Sequence, residues 1–115
     1  PAQYGAIAAL DGPENHLNEM KKEFEIRRKL IVDGLKSIKG IKCSSPGGSF
    51  FVFPNIKDTG VNGEQFATKC LDEIGVAMIP GTAFGKFATH NVRLNFATSR
   101  ENISKAIEKI GKILK

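Results

Sequence analysis

The run Asn91-Val92-Arg93-Leu94-Asn95-Phe96-Ala97 changes side with every residue. Val92, Leu94 and Phe96 fall on one face, Arg93 and Asn95 on the other, which is the period of a strand with one apolar and one polar side. A different rhythm follows at once. Thr98-x-x-Glu101 reads as a capping box, and Ile103, Ile107, Ile110 and Leu114 then recur at helical spacing. A half-buried strand feeding an amphipathic helix is the seed of an α+β domain, and the chain upstream repeats the pattern.

Asn62 is placed to cap a helix, with Gln65 three residues on. Phe66, Ala67, Cys70, Leu71 and Ile74 form its apolar stripe, and Gly75 stands where a helix end favours a left-handed residue. Val76–Ile79 then reads as a short strand, turned by Pro80-Gly81. Further upstream, Ser49-Phe50-Phe51-Val52-Phe53 is aromatic and β-branched, a strand that Pro54 stops. Its nearly continuous apolar run predicts cover on both faces. Pro46-Gly47-Gly48 is turn chemistry, and Ile41–Ser44 is another short strand candidate. Between Asn15 and Ile38, the residues Leu17, Met20, Phe24, Ile31, Leu35 and Ile38 mark one stripe of a long helix that Gly40 ends. Glu25 and Lys29, four apart, are expected to pair on its surface. The predicted order is helix, strand, strand, helix, strand, strand, helix, with helices over residues 14–39, 62–74 and 99–114. The fold class is α+β with two layers: helices on one face of a small sheet, Arg93 on the other.

At 115 residues, 41% apolar and 25% charged, the chain has the balance of a folded domain and not of a disordered segment. Its longest uncharged runs are broken by Pro and Gly and fall short of the roughly 18 apolar residues of a membrane span, so no membrane role is expected. No basic-then-apolar leader opens the sequence, and the first residue is Pro1. The expectation is a piece of something longer. Net charge is +5, and eight bases against three acids lie between Lys21 and Lys42. Such a run is either a solvated helix face or the footprint of a module that binds nucleic acid or a protein partner. Trp is absent and the single Tyr lies outside the basic run, so nucleic-acid binding is the weaker alternative. Cys43 and Cys70 have no metal-ligand or redox spacing and read as buried thiols of a cytoplasmic protein.

Few residues carry recognisable chemistry. His16 and His90 have no nucleophile or carboxylate at a meaningful spacing, and no metal site is expected. Gly81-Thr82-Ala83-Phe84-Gly85-Lys86 is one residue short of a phosphate loop and lacks the hydroxyl that would follow its lysine. Asn102-Ile103-Ser104 has the form of a glycosylation sequon but falls inside a predicted helix. Arg93 is different. A guanidinium in mid-strand is presented rigidly, and its planar fork of donors matches a carboxylate in two hydrogen bonds. From spacing alone the plainer reading is a sheet-face arginine paired with an acidic neighbour.

Four blocks, taken together, resemble the C-terminal part of class I/II aminotransferases, the pyridoxal-phosphate enzymes of the aspartate aminotransferase family. They are Pro1-Ala2-Gln3-Tyr4-Gly5-Ala6, Gly47-Gly48-Ser49-Phe50-Phe51-Val52-Phe53-Pro54, Gly75-Val76-Ala77-Met78-Ile79-Pro80-Gly81-Thr82-Ala83-Phe84-Gly85 and Val92-Arg93-Leu94-Asn95-Phe96-Ala97-Thr98-Ser99. The resemblance spans essentially the whole chain, and its wording is similar to the prokaryotic aspartate aminotransferase branch. It implies the small domain of the type I fold, with the long helix at about 14–39 joining it to a large domain that this chain lacks. It implies that Arg93 binds the α-carboxylate of the amino acid and that Phe50 lies near the substrate side chain. It places the cofactor lysine, the aspartate facing the pyridine nitrogen and the phosphate-holding groups in the large domain. No catalytic residue is then expected here, and no Ser/Thr-x-x-Lys appears in the sequence. The implied parent uses pyridoxal 5'-phosphate to move an amino group from an amino acid, aspartate first, to a 2-oxo acid such as 2-oxoglutarate. It is implied to be a homodimer, and this chain alone to be inactive without bound cofactor.

Overall fold

The computed structural model describes residues 1–114. Four helices and three short strands are present among them: α1 Ala2–Asp11, α2 Asn15–Lys36, β1 Phe51–Val52, α3 Gly63–Ile74, β2 Ile79–Pro80, β3 Val92–Asn95 and α4 Arg100–Ile113. Single turns of 3-10 helix cover Lys57–Thr59 and Gly81–Phe84. The sheet order is β1-β3-β2, with β3 antiparallel to both neighbours. Phe51 faces Asn95 and Val52 faces Leu94 on one side, while Ile79 faces Arg93 and Pro80 faces Val92 on the other.

The alternation of β3 is realised. Val92, Leu94 and Phe96 are buried, whereas Arg93 is half-buried and Asn95 exposed. Beneath the apolar face lie Ile31, Val32 and Leu35 of α2, Phe66 and Cys70 of α3, and Ile103 and Ile110 of α4, in one core cluster. This is the expected two-layer α+β domain, with the helices on one face. Cys43 and Cys70 are both buried free thiols, and burial raises both, Cys70 to about 11.

Several expectations need correction. Only Asn55 bridges Lys42, so the segment 41–44 forms a single isolated bridge instead of a strand. The ladders are two to four residues long, because Pro54 and Pro80 have no N–H with which to extend them. The phenylalanine run is not covered on both sides. Val52 is buried, but Phe50 and Phe53 are each 43% exposed. The N-cap of α4 is Ser99, whose side chain accepts from the Asn102 N–H, while Asn102 Nδ2 donates to Thr98 Oγ1. The predicted Thr98 box is thus displaced by one residue. Glu25 pairs with Arg28, and Lys29 with Asp33, in place of the Glu25–Lys29 pair. Leu71 lies exposed, outside the buried stripe of α3.

Two features extend beyond the predicted order. Helix α1 forms from an alanine-rich run of high helix propensity, yet none of its residues is buried and Tyr4 and Leu10 are 80% and 85% exposed. The buried residues of α2 are Ile31, Val32 and Leu35, and Phe24 packs against the core from the turns before them, so the helix start projects past the core. Both features stretch the molecule to 51 × 29 × 24 Å. The capping box of α3 is complete: the Gln65 N–H donates to Asn62 and the Asn62 N–H to Gln65. Gly75 closes that helix at φ 64°, in the left-handed region.

Candidate functional site around Arg93

Arg93 occupies the central strand, so it has a neighbour on each side. Since Phe51 pairs with Asn95, Phe51 lies diagonally across from Arg93 on the same face of the sheet. On the other side the chain leaves β2 into the 3-10 turn Gly81–Phe84, which delivers Phe84 to that face. The result is a layered arrangement. The Arg93 Cζ lies 4.2 Å from the centroid of the Phe51 ring and 4.3 Å from that of Phe84. Both distances are well inside the range of a cation–π contact.

A second ring backs each of these two. Phe50 lies against Phe51 at 4.4 Å between centroids, and Phe53 meets Phe84 edge-on at 5.9 Å and 84°. Phe24 of α2, 6.4 Å from Phe50 and 6.2 Å from Phe96, ties the array to the long helix. The turn that carries Phe84 is itself anchored. The Gly81 N–H donates to the Asn91 carbonyl at 2.7 Å, and a Cβ at Gly81 would run into the backbone of Ala88 and Asn91. Asn91 Nδ2 reaches the carbonyls of Phe53 and Pro54, both at 3.3 Å, and so fastens β1 beside the same turn.

No carboxylate among the described residues lies within ion-pairing distance of Arg93. The plainer reading, an arginine neutralised by an acidic neighbour, finds no such neighbour among the described residues. A small open cavity of about 180 Å³ adjoins the guanidinium, lined by Phe51, Ala77, Met78, Ile79 and Asn95. Chemically the arrangement can accept an anion. The cation lies over the faces of two rings, and neither contact uses its N–H donors.

Of the two candidate residues, Arg93 is central to this arrangement and Phe50 stands one ring back from it, tilted 40° against Phe51. Phe51 and Phe84 lie against the cation, and nothing in their spacing marks them apart from the other phenylalanines. Phe84 sits in the Gly81–Gly85 stretch, which belongs to one of the four blocks of the resemblance but carries no residue role there. His16 is exposed on α2, and His90 makes a 3.1 Å contact with Thr89 Oγ1 through Nδ1. No cluster of metal-ligating side chains occurs among the described residues. Within the basic stretch, Arg27, Arg28, Lys29 and Lys42 are each engaged with a carboxylate, from Glu23, Glu25, Asp33 and Asp58, the pattern of a solvated, ion-paired face. No helix among the described residues is long and apolar enough to cross a membrane.

The family model for aminotransferase class I and II matches residues 1–110. An aspartate aminotransferase of Pyrococcus horikoshii is 44% identical over 97% of this chain and 29% of its own length. Among solved structures, an aromatic aminotransferase from Pyrococcus horikoshii superposes with a TM-score of 0.92 at 38% identity, over 97% of this chain and 30% of that one. An alanine aminotransferase from Pyrococcus furiosus gives 0.94 at 33% identity, over 99% and 29%. The chain thus spans about 30% of the length of the relatives it matches.

Proposed function

The chain belongs to the class I and II aminotransferases, and on that premise we propose that it is the small C-terminal domain of such an enzyme, with Arg93 binding the substrate's α-carboxylate. The observation that carries the reading is the guanidinium on the polar face of the sheet, over two ring faces and with no carboxylate partner among the described residues. A carboxylate needs two coplanar donors, and an immobilised arginine supplies them. Amino transfer requires one bond at the α-carbon to be held in a fixed direction, and a two-point grip on the carboxylate sets that direction.

Pyridoxal phosphate supplies the electron sink for this chemistry when bound. The cavity beside Arg93 does not fit that cofactor: its lining contains no lysine and no acidic group to face a pyridine nitrogen. It fits the substrate side of the reaction. The cofactor lysine and the phosphate-holding groups then belong to a large domain outside this chain, and α2 is the connection to it. The proposed parent is a homodimeric, cytoplasmic enzyme that passes an amino group from aspartate to 2-oxoglutarate. The name of the P. horikoshii relative supports aspartate. The receptor itself grips what all amino acids share, which suits relatives named for aspartate, aromatic and alanine substrates alike.

The test is substitution in the full-length protein. Arg93→Ala loses charge and fork, and Arg93→Lys loses the fork alone. A charged hydrogen bond is worth ~1.5–3 kcal/mol, so both variants should lose at least about tenfold in kcat/KM. The loss should fall equally on amino acids and 2-oxo acids, with cofactor absorbance unchanged. Wild-type kcat/KM in a folded Arg93→Ala protein would remove Arg93 from the site.

A further inference from the structure

We propose that Phe51 and Phe84 are positioning residues, a pair of aromatic plates that fix the plane of the Arg93 guanidinium and so set the angle at which the carboxylate is held. The proposal rests on the reading of Arg93 given above and extends it to side chains that meet the cation and not the carboxylate.

The geometry has three parts. First, the plates come from opposite sides of β3: Phe51 from β1, Phe84 from the turn after β2. With ring centroids at 4.2 and 4.3 Å, a swing of the guanidinium toward either side closes on one ring or the other. Second, the plates are themselves braced, Phe51 by Phe50 and Phe84 edge-on by Phe53. The brace explains why Phe53 and Phe84 stay half-exposed on this face, 43% and 49%, without packing into the core. Third, the rings attract the cation without using its N–H groups. An aspartate or glutamate partner would hold Arg93 as firmly but would occupy the donors that a substrate needs. A ring face holds the charge through its quadrupole and leaves every donor available.

The plates should therefore act on orientation more than on charge. In the full-length protein, Phe84→Leu and Phe51→Leu keep an apolar side chain of similar reach but remove the flat π face. Each is expected to lower kcat/KM for amino acids by about three- to tenfold, the scale of one cation–π contact. The loss should appear in kcat as well as KM, because a tilted carboxylate misdirects the reacting bond. Phe84→Tyr and Phe51→Tyr keep the π face and should restore most of the rate. Placed in an Arg93→Ala background, Phe84→Leu should have almost no further effect, since no cation remains to be oriented. Thermal melting of each variant checks the fold. If Phe51→Leu is unstable, the half-exposed Phe84 carries the test alone.

Three outcomes would overturn the proposal: Leu variants with wild-type kcat/KM, a loss borne by KM alone, or the same Phe84→Leu cost with and without Arg93. An Arg93→Ala enzyme of normal activity would instead overturn the underlying reading of the site. The two failures are thus read from different variants.

Discussion

Glu23 is the residue whose charge state is set most firmly. Its carboxylate accepts from Arg27 Nε at 2.7 Å and Arg100 Nε at 3.1 Å, and so ties α2 to the start of α4. Hydrogen bonding from Arg100, then from Arg27, holds its pKa down to about 2 from 4.5. A carboxyl with a depressed folded-state pKa binds fewer protons folded than unfolded, so its contribution is present above pH 4.5 and fades as pH falls toward 2. Glu23→Gln should therefore melt lower than the native chain at pH 6, with the difference shrinking between pH 4.5 and 2. Circular dichroism melts across that range check it, and a pH-independent difference would mean that the carboxylate charge is not what matters. At this same scale Arg93 was legible, because alternation alone puts it on the polar face of β3. Its neighbours were not. Which phenylalanine of Phe50, Phe51 and Phe53 meets the cation depends on strand register, and register is fixed by pairing with a partner strand that composition does not reveal.

At the scale of elements, the crossing of α2 on α4 turns on Gly34. A Cβ there would collide with the branched side chain of Ile107. Alanine in mid-helix gains ~1 kcal/mol over glycine, but forcing a methyl into a filled contact costs ~1–3 kcal/mol. Gly34→Ala should thus destabilise by about 1 kcal/mol net. In an Ile107→Ala background the collision is gone, and the same change should stabilise by about 1 kcal/mol. Urea titrations of the four proteins measure this, and a stabilising Gly34→Ala in the native background would show that Ile107 yields freely. The helices α2, α3 and α4 could be read from the sequence because each has an apolar stripe that the core uses. Helix α1 could not, since Ala2–Asp11 has no polar stripe and buries nothing here. Its helicity comes from local alanine propensity, a weaker signal than periodicity. The length of the ladders is not legible for a related reason: β-rich composition marks where a strand can form, and the prolines decide how far it runs.

At the scale of the whole molecule, the exposed Phe50, Phe53 and Phe84 and the bare α1 describe a domain with two unfinished surfaces, one around the receptor and one at the N-terminal end. If the lysine and phosphate contacts lie outside this chain, the 115-residue protein with added pyridoxal phosphate should give no amino transfer. Turnover above the cofactor-only background in a coupled assay would contradict that. The bareness of α1 also has an optical consequence. The chain has no tryptophan and a single tyrosine, and that tyrosine, Tyr4, stands on α1 with 80% of its surface open. Intrinsic emission from this protein is therefore blind to the melting of its core. It is a lamp fixed to the one helix that this chain leaves uncovered, and its intensity and anisotropy should change when something packs against α1, while the signal of an unfolding transition must be sought elsewhere in the spectrum.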